Sequence, residues 1–372
     1  MGCNGERGRL NASLALTNRL SDLARRSHPL VSSGRRTTWR SALCSTGMNR
    51  AAVPSMLIVI ELANIRQVDG DDRFHRMFVA LCTQLRSITT RSSGSKTFQV
   101  LIAFDETDRD EGHFREISQV VEREVSASLD VSLVGTPSDG YFEMKNAGAE
   151  LAQAEIILFL DSDVIPEDGC VERLLESFDD PALQVVCGSS YVETDGIWAK
   201  AFGLMWFLRL REPADGVFMT NHFHANCVAF RRSVFSEFGP FPIVPGTSRG
   251  ACLGLARRLS DADVAINMRA GARVAHPALR PADACRRALV QGNDTARRSS
   301  KASALHNVKG TTRRYVRFLA TTAWAVGGPK RRLVGLPVWA IPFAMSVGLG
   351  YYTLAFVSEL ATYVRIGVAE GG

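Results

Sequence analysis

None of the eight cysteines (Cys3, Cys44, Cys82, Cys170, Cys187, Cys227, Cys252, Cys285) stands in a C-x-x-C pair. That spacing excludes a zinc-finger pattern and gives no sign of a disulfide framework, so a reducing compartment is the simplest setting. Acids are scarce at the start: residues 1–50 hold nine Arg against Glu6 and Asp22, a net charge of +7. The same stretch lacks the continuous apolar run that a secretory signal needs. Residues 1–54 therefore read as a disordered basic tail, as a start placed too far upstream of Met48 and Met56, or as an organelle transit segment. No internal repeat is present, which sets repeat architectures aside.

What is present is apolar material for a real core, 46% hydrophobic residues in a chain of 372. The formal charge of +6 is unevenly spread. Residues 51–279 carry 21 basic against 32 acidic side chains, whereas residues 280–332 carry 13 basic against Asp283 and Asp294. From Met56 onward, short apolar runs alternate with helical periodicity. The runs are MLIVI (56–60), FQVLIAF (98–104), DVSLV (130–134), EIILFL (155–160) and LQVVCG (183–188). Between them Phe74, Met77, Phe78, Leu81, Cys82 and Leu85 fall on one helical stripe. Further helices are expected through Phe114, Ile117 and Val121, near 142–152, and near 168–178 with Asp168 as its cap. Such alternation predicts a doubly wound α/β sheet with mostly parallel strands, whose ligands sit at the carboxyl ends of the strands. Past Cys187 the alternation weakens, leaving a helix through Trp198, Phe202, Met205, Trp206 and Leu210 and a strand over 224–230.

Residues 333–357 form an uncharged run long enough to span a bilayer, tolerant of Pro337 and Pro342 in that setting. The basic residues of 329–332 put its amino-terminal side in the cytoplasm, with residues 358–372 as a short tail. The basic segment 280–332 then suits an anionic membrane surface rather than nucleic acid. Residues 318–328 are apolar but too short to span, and are expected in the interface.

FLDSDVIP (159–166) ends a buried strand in two carboxylates, Asp161 and Asp163. Acids at that spacing suit a hard divalent ion on phosphate oxygens, and equally a solvated loop or a helix cap. The wider block KNAGAELAQAEIILFLDSDVIPEDG (145–169) resembles the family-2 glycosyltransferases of the GT-A fold. ANCVAFRRSVFSEFGPF (225–241) and ARVAHP (272–277) are similar to that family's acceptor-side segment and late histidine segment. The resemblance spans about residues 55–279. It implies a nucleotide-sugar site in which Asp161 contacts the donor ribose or the metal and Asp163 holds Mg²⁺ or Mn²⁺ on the diphosphate. It further implies Asp105 and Asn64 at the nucleotide, Lys145 in place of a usual Arg, Asn146 beside it, and His276 as a further metal ligand.

Three departures accompany it. The first strand ends in IELAN, with Glu61 where the family has proline. No carboxylate stands in RGACLG (249–254), where the family keeps the acid that activates the acceptor. QGND (291–294) lacks the Arg-Trp of processive members. Glu193 and Asp195 are the substitute candidates for the base, and Arg249 could grip an anion. The expectation is a membrane-anchored, metal-assisted, inverting hexosyltransferase-like enzyme acting on a lipid-linked or envelope-glycan acceptor, single-pass, with its catalytic domain cytoplasmic. A non-catalytic nucleotide-binding or interaction protein and a haloacid-dehalogenase-type phosphatase with Asp161 as nucleophile are the alternatives.

Overall fold

The computed structural model describes residues 53–65, 70–108, 112–125, 129–138, 140–206, 208, 210–211, 215–299 and 304–370. The expected basic tail thus lies outside the described residues, apart from its last two positions. The strands are β1 (Met56–Glu61), β2 (Phe98–Asp105), β3 (Asp130–Thr136), β4 (Ile156–Asp161), β5 (Ile165–Pro166), β6 (Val185–Val192), β7 (Val217–Thr220), β8 (Cys227–Arg231) and β9 (Ile266–His276). They form one sheet in the order β3-β2-β1-β4-β8-β6-β9-β5, with β7 also on β9. The first four of that order pair in parallel, as do β6 and β9. β8 enters antiparallel between β4 and β6. That is where the strand–helix alternation of the sequence fades, because an antiparallel neighbour does not need a helical crossover.

The helices are α1 (Gly70–Arg91), α2 (Gly112–Glu124), α3 (Tyr141–Glu150), α4 (Cys170–Ser177), α5 (Gly196–Met205), α6 (Arg232–Phe238), α7 (Ala251–Asp261), α8 (Pro281–Ser299), α9 (Ala304–Gly327), α10 (Pro329–Leu333) and α11 (Ile341–Glu370). Helices cover both faces of the sheet, which is why β1 is apolar at every core position rather than alternating. Met56, Ile58 and Ile60 pack with the α1 stripe from Phe74 to Leu85 on one face. Leu57 and Val59 join Phe142, Phe159, Phe230 and Phe241 on the other. Each such fully buried side chain contributes about 1.5–3 kcal/mol. α3 approaches β1 closely at Gly148, where a Cβ would lie 2.5 Å from Val59 Cγ1.

Asp168 is not the cap of the helix that follows it. Gly169 holds that position at φ 73°, and no side chain caps the turn. The Asp168 carbonyl instead accepts a hydrogen bond from Arg173 Nη1 at 2.9 Å.

The described residues of 280–332 form α8, α9 and α10. The apolar run does not form one helix over 333–357. Gly335 at φ 64° and the 3-10 turn Val338–Ala340 break it, and α11 starts at Ile341 with Pro342 in the first turn, where its missing N–H costs little. Val338–Ile366 is long and apolar enough to cross a membrane by length and composition. One side of α11 is anchored: Tyr352 OH donates to Met205 O, Ser358 Oγ donates to Leu289 O, and Glu359 accepts from Thr311 Oγ1 and Arg314. Its other side leaves Phe343, Leu349, Val357 and Val364 exposed.

Candidate active site

β1 and β4 run parallel with Glu61 opposite Asp161. The alternation that sends Val59 and Phe159 toward α3 sends these two carboxylates the same way. Like charges side by side in a buried place require a cation, and α3 supplies one. Lys145, fully buried, places Nζ 2.8 Å from Asp161 Oδ1. Tyr141, one turn earlier, donates its hydroxyl to the same oxygen at 2.6 Å. Asn64 Nδ2 bridges the pair, donating to Glu61 Oε1 at 3.0 Å and to Asp161 Oδ2 at 3.1 Å. Both oxygens of Asp161 are therefore engaged. Burial, and then the charge of Asp161, hold the Glu61 carboxyl well above the usual carboxylate range.

Asp163 differs. The chain turns after β4, and Asp163 Oδ1 is buried without a hydrogen-bond partner. Its Oδ2 lies 3.8 Å from His276 Nε2 at the end of β9, too far for a hydrogen bond. His276 Nδ1 lies 2.8 Å from Pro277 O. A carbonyl can only accept, so Nδ1 carries a proton, and Nε2 is the ring nitrogen turned toward Asp163. Arg73 of α1 fixes this corner, donating to Asp163 O at 2.8 Å, Ala275 O at 2.7 Å and Glu193 Oε2 at 2.6 Å. Burial raises Asp163 despite the opposing pull of His276.

The donors fit a hard divalent ion of the kind that keeps water and substrate oxygens. Among the described residues no three His, Cys, Asp or Glu side chains form a metal cage. Asp163, with Oδ1 unpartnered and Oδ2 3.8 Å from His276 Nε2, and His276 are the two side chains that would hold part of such an ion's shell.

The remaining candidates divide. Asp105 ends β2, two strands from Asp161 and so roughly 10 Å away at the usual strand spacing. Its Oδ1 accepts from Thr107 N. Asn146 faces elsewhere: its amide accepts from Phe241 N at 2.9 Å and donates to Phe241 O at 3.0 Å, clamping the loop after α6. Glu193 is held by Arg73, and Asp195 precedes α5 without capping it through its side chain. On the acceptor side, Asp294 of α8 spends Oδ2 on the backbone N–H groups of Ser248 and Arg249. The loop thus presents Arg249, whose Nη2 donates to Asn64 Oδ1 at 2.9 Å and whose guanidinium lies 4.8 Å from the Tyr141 ring centroid.

Residues 81–239 match the family model described as glycosyl transferase family 2. Over that stretch the chain is similar to the family-2 glycosyltransferases. Among solved structures the domain and its helices are similar to mannosyltransferase PcManGT from Pyrobaculum calidifontis in complex with GDP-Man and Mn²⁺. The likeness is at 16% identity, 86% of this chain and 91% of that one, TM-score 0.47. Another likeness is to GalNAc-T7 with UDP, GalNAc and Mn²⁺, at 11% identity, 71% of this chain and TM-score 0.42, where this chain spans about half (51%) of the other. No curated protein matches the sequence.

The matched part of the chain holds Lys145, Asn146, Asp161 and Asp163, while Glu61, Asn64, Arg249 and His276 lie outside it. Tyr141 and Arg73 escape a reading of the sequence. Tyr141 precedes the recognisable Lys145 by one helical turn, which is a usable signal only once α3 is known to face β4. Arg73 sits beside an apolar stripe like any surface arginine, and its burial depends on three partners up to 202 residues away.

Proposed function

We propose that this protein is a metal-assisted glycosyltransferase that moves a sugar from a nucleoside diphosphate donor to a lipid-linked or glycan acceptor at a membrane. The observation that carries the reading is the asymmetry of the acid pair. Asp161 is saturated by Tyr141, Lys145 and Asn64, whereas Asp163 keeps Oδ1 without a partner and sets Oδ2 3.8 Å from His276 Nε2. Asp163 and His276 would hold Mg²⁺ or Mn²⁺. When bound, that ion would neutralise charge gathering on the departing diphosphate. The protein's own part is positional: Arg73 fixes the turn that aims Asp163, and the Pro277 carbonyl orients the His276 ring. Asp105 stands about a nucleoside's reach away and is assigned to the nucleotide.

A phosphatase with Asp161 as nucleophile fits poorly. Its motif lies on the fourth strand, and neither oxygen of that carboxylate is free to attack. Membrane attachment rests on the apolar length of Val338–Ile366 and the basic residues before it, which by the charge bias of loops favour a cytoplasmic domain.

The test is thermal stability of the full chain in detergent against a panel of nucleotide sugars, with and without Mn²⁺. One donor class should raise Tm in a Mn²⁺-dependent way, and Asp163→Ala should abolish that increment. An unchanged increment in the variant would refute the site.

A further inference from the structure

One side of α11 is covered along nearly its whole length. Ala344, Tyr351, Ala355, Glu359 and Thr362 recur at helical spacing and are all buried, a stripe of roughly 28 Å at about 1.5 Å per residue. What covers it belongs to the sheet domain. Near its start α11 packs on α5, the helix that follows β6, with the Trp198 and Phe343 ring centroids 6.4 Å apart. Further on it meets α8. Tyr351 OH donates to Gln291 Oε1 at 2.8 Å, and Gly292 lies against the Ala355 carbonyl with no room for a Cβ. α8 in turn holds the 248–250 loop through Asp294 and leaves Arg286 and Arg297 exposed.

α9 adds a second constraint. Its Phe318 ring stacks on Tyr352 with centroids 4.8 Å apart, and Tyr315 OH lies 3.1 Å from Thr353 Oγ1. Tyr352 is the midpoint of the apolar stretch Val338–Ile366. Arg317, exposed and next to Phe318 in the chain, therefore stands level with that midpoint. Were α11 to cross a hydrocarbon core of about 30 Å, Arg317 would sit near its centre and the polar cover of the inner stripe would follow it in. Intramembrane arginines are costly and need partners inside the bundle, which an exposed side chain lacks.

We propose that α11 lies along an anionic bilayer surface rather than across it, docking in one leaflet through its outer stripe and the basic, Trp-bearing turn before it. The inference rests on the membrane part of the reading above and replaces the span with an in-plane attachment. The outer stripe is apolar: Phe343, Leu349, Val357 and Val364 are exposed, opposite the buried residues. Lys330 Nζ lies 5.5 Å from the exposed Trp324 ring, and Arg332 is exposed two residues on. An apolar helix face with cations and aromatic rings at its edge complements acyl chains under anionic head groups. Because α8 touches both α11 and the loop bearing Arg249, this pose would hold the candidate site at a fixed height above the leaflet.

The experiment reconstitutes the full chain from detergent into vesicles, a route open to either pose. The vesicles are of anionic or zwitterionic lipid, with acyl chains brominated near the head group or near the bilayer centre. Phe343→Trp, Leu349→Trp, Val357→Trp and Val364→Trp are each made in a chain carrying Trp324→Phe and Trp339→Phe, and quenching is measured relative to that parent. All four substitutions are at exposed positions, and circular dichroism checks their folding. Shallow bromines should quench all four more than deep ones, in the same ratio. Deep quenching at Leu349→Trp and Val357→Trp with shallow quenching at the two ends is the pattern of a spanning helix and overturns the proposal. Quenching at none of the four overturns it as well, and self-association by light scattering would then give the face to a second copy. Lys330→Gln and Arg332→Gln should each weaken binding to anionic vesicles about fivefold and leave zwitterionic binding unchanged. An equal effect on both lipids removes the head-group contact and counts against the surface. Failure of the membrane reading itself would show separately, as a chain that associates with neither kind of vesicle.

Discussion

Lys145 shows how a single residue can be fixed by electrostatics alone. It is fully buried, its Nζ faces Asp161, and its ammonium lies 4.9 Å from the Tyr141 ring centroid. Replacing it with methionine preserves most of the volume and leaves Glu61 and Asp161 as adjacent buried carboxylates. Breaking a buried pair in this way costs about 3–5 kcal/mol, and the variant should show a large drop in Tm. Adding Glu61→Gln removes one of the two repelling acids and should recover part of the loss. Simple additivity of the two changes in a double-mutant cycle would contradict that coupling.

Among the elements, short β5, paired antiparallel with β9, is held by Glu167 just beyond it. Its carboxylate accepts from Tyr191 OH of β6 at 2.7 Å, Arg211 Nε at 2.6 Å and Arg273 Nε of β9 at 2.8 Å. Burial alone would raise this carboxyl, but the hydrogen bonds from Arg211, Arg273 and Tyr191 outweigh it and hold it at about 2, against an ordinary 4.5. A group whose folded value is depressed supports the fold above its unfolded value and loses that support as pH falls toward the folded one. The Tm advantage of the native chain over Glu167→Gln should therefore be full above pH ~4.5 and shrink steadily between there and pH ~2. A difference in Tm that is constant with pH would show that the carboxylate charge is not what ties these strands together.

Across the whole molecule, the catalytic sheet and the C-terminal helices present different surfaces. The end of α9 exposes Trp324 at 58% and the 3-10 turn before α11 exposes Trp339 at 71%, with Lys330, Arg331 and Arg332 of α10 between them in the chain. Aromatic rings beside basic residues are the composition of a bilayer interface. Trp198 and Trp206 are covered by α11 and α8. In vesicles of anionic lipid carrying brominated acyl chains, the fluorescence of Trp324 and Trp339 should be quenched. Replacing both with Phe should remove most of the quenching, whereas Trp198→Phe should not. Quenching that survives the double replacement would place the lipid contact elsewhere.

The sequence by itself determined the layered α/β core, because strands buried on both faces must be apolar throughout and the helices between them must carry one apolar stripe. It also singled out the acid pair, through the resemblance carried by residues 145–169 around it, and it showed that residues 249–254 hold no acid. Three matters were decided only in three dimensions. The surroundings of Asp161 and Asp163 separate through Asn64, the helical pair Tyr141 and Lys145, and His276, which come from three distant parts of the chain. Asn146, adjacent to Lys145 in the chain, is turned to the Phe241 backbone, because consecutive helical residues point about 100° apart. Arg249 is brought to Asn64 by the packing of the 248–250 loop against α8, through Asp294. Charge and hydrophobic period are local properties of a chain, so they can be read along it. Which charge meets which is set by register and packing across the fold, and no local pattern encodes that.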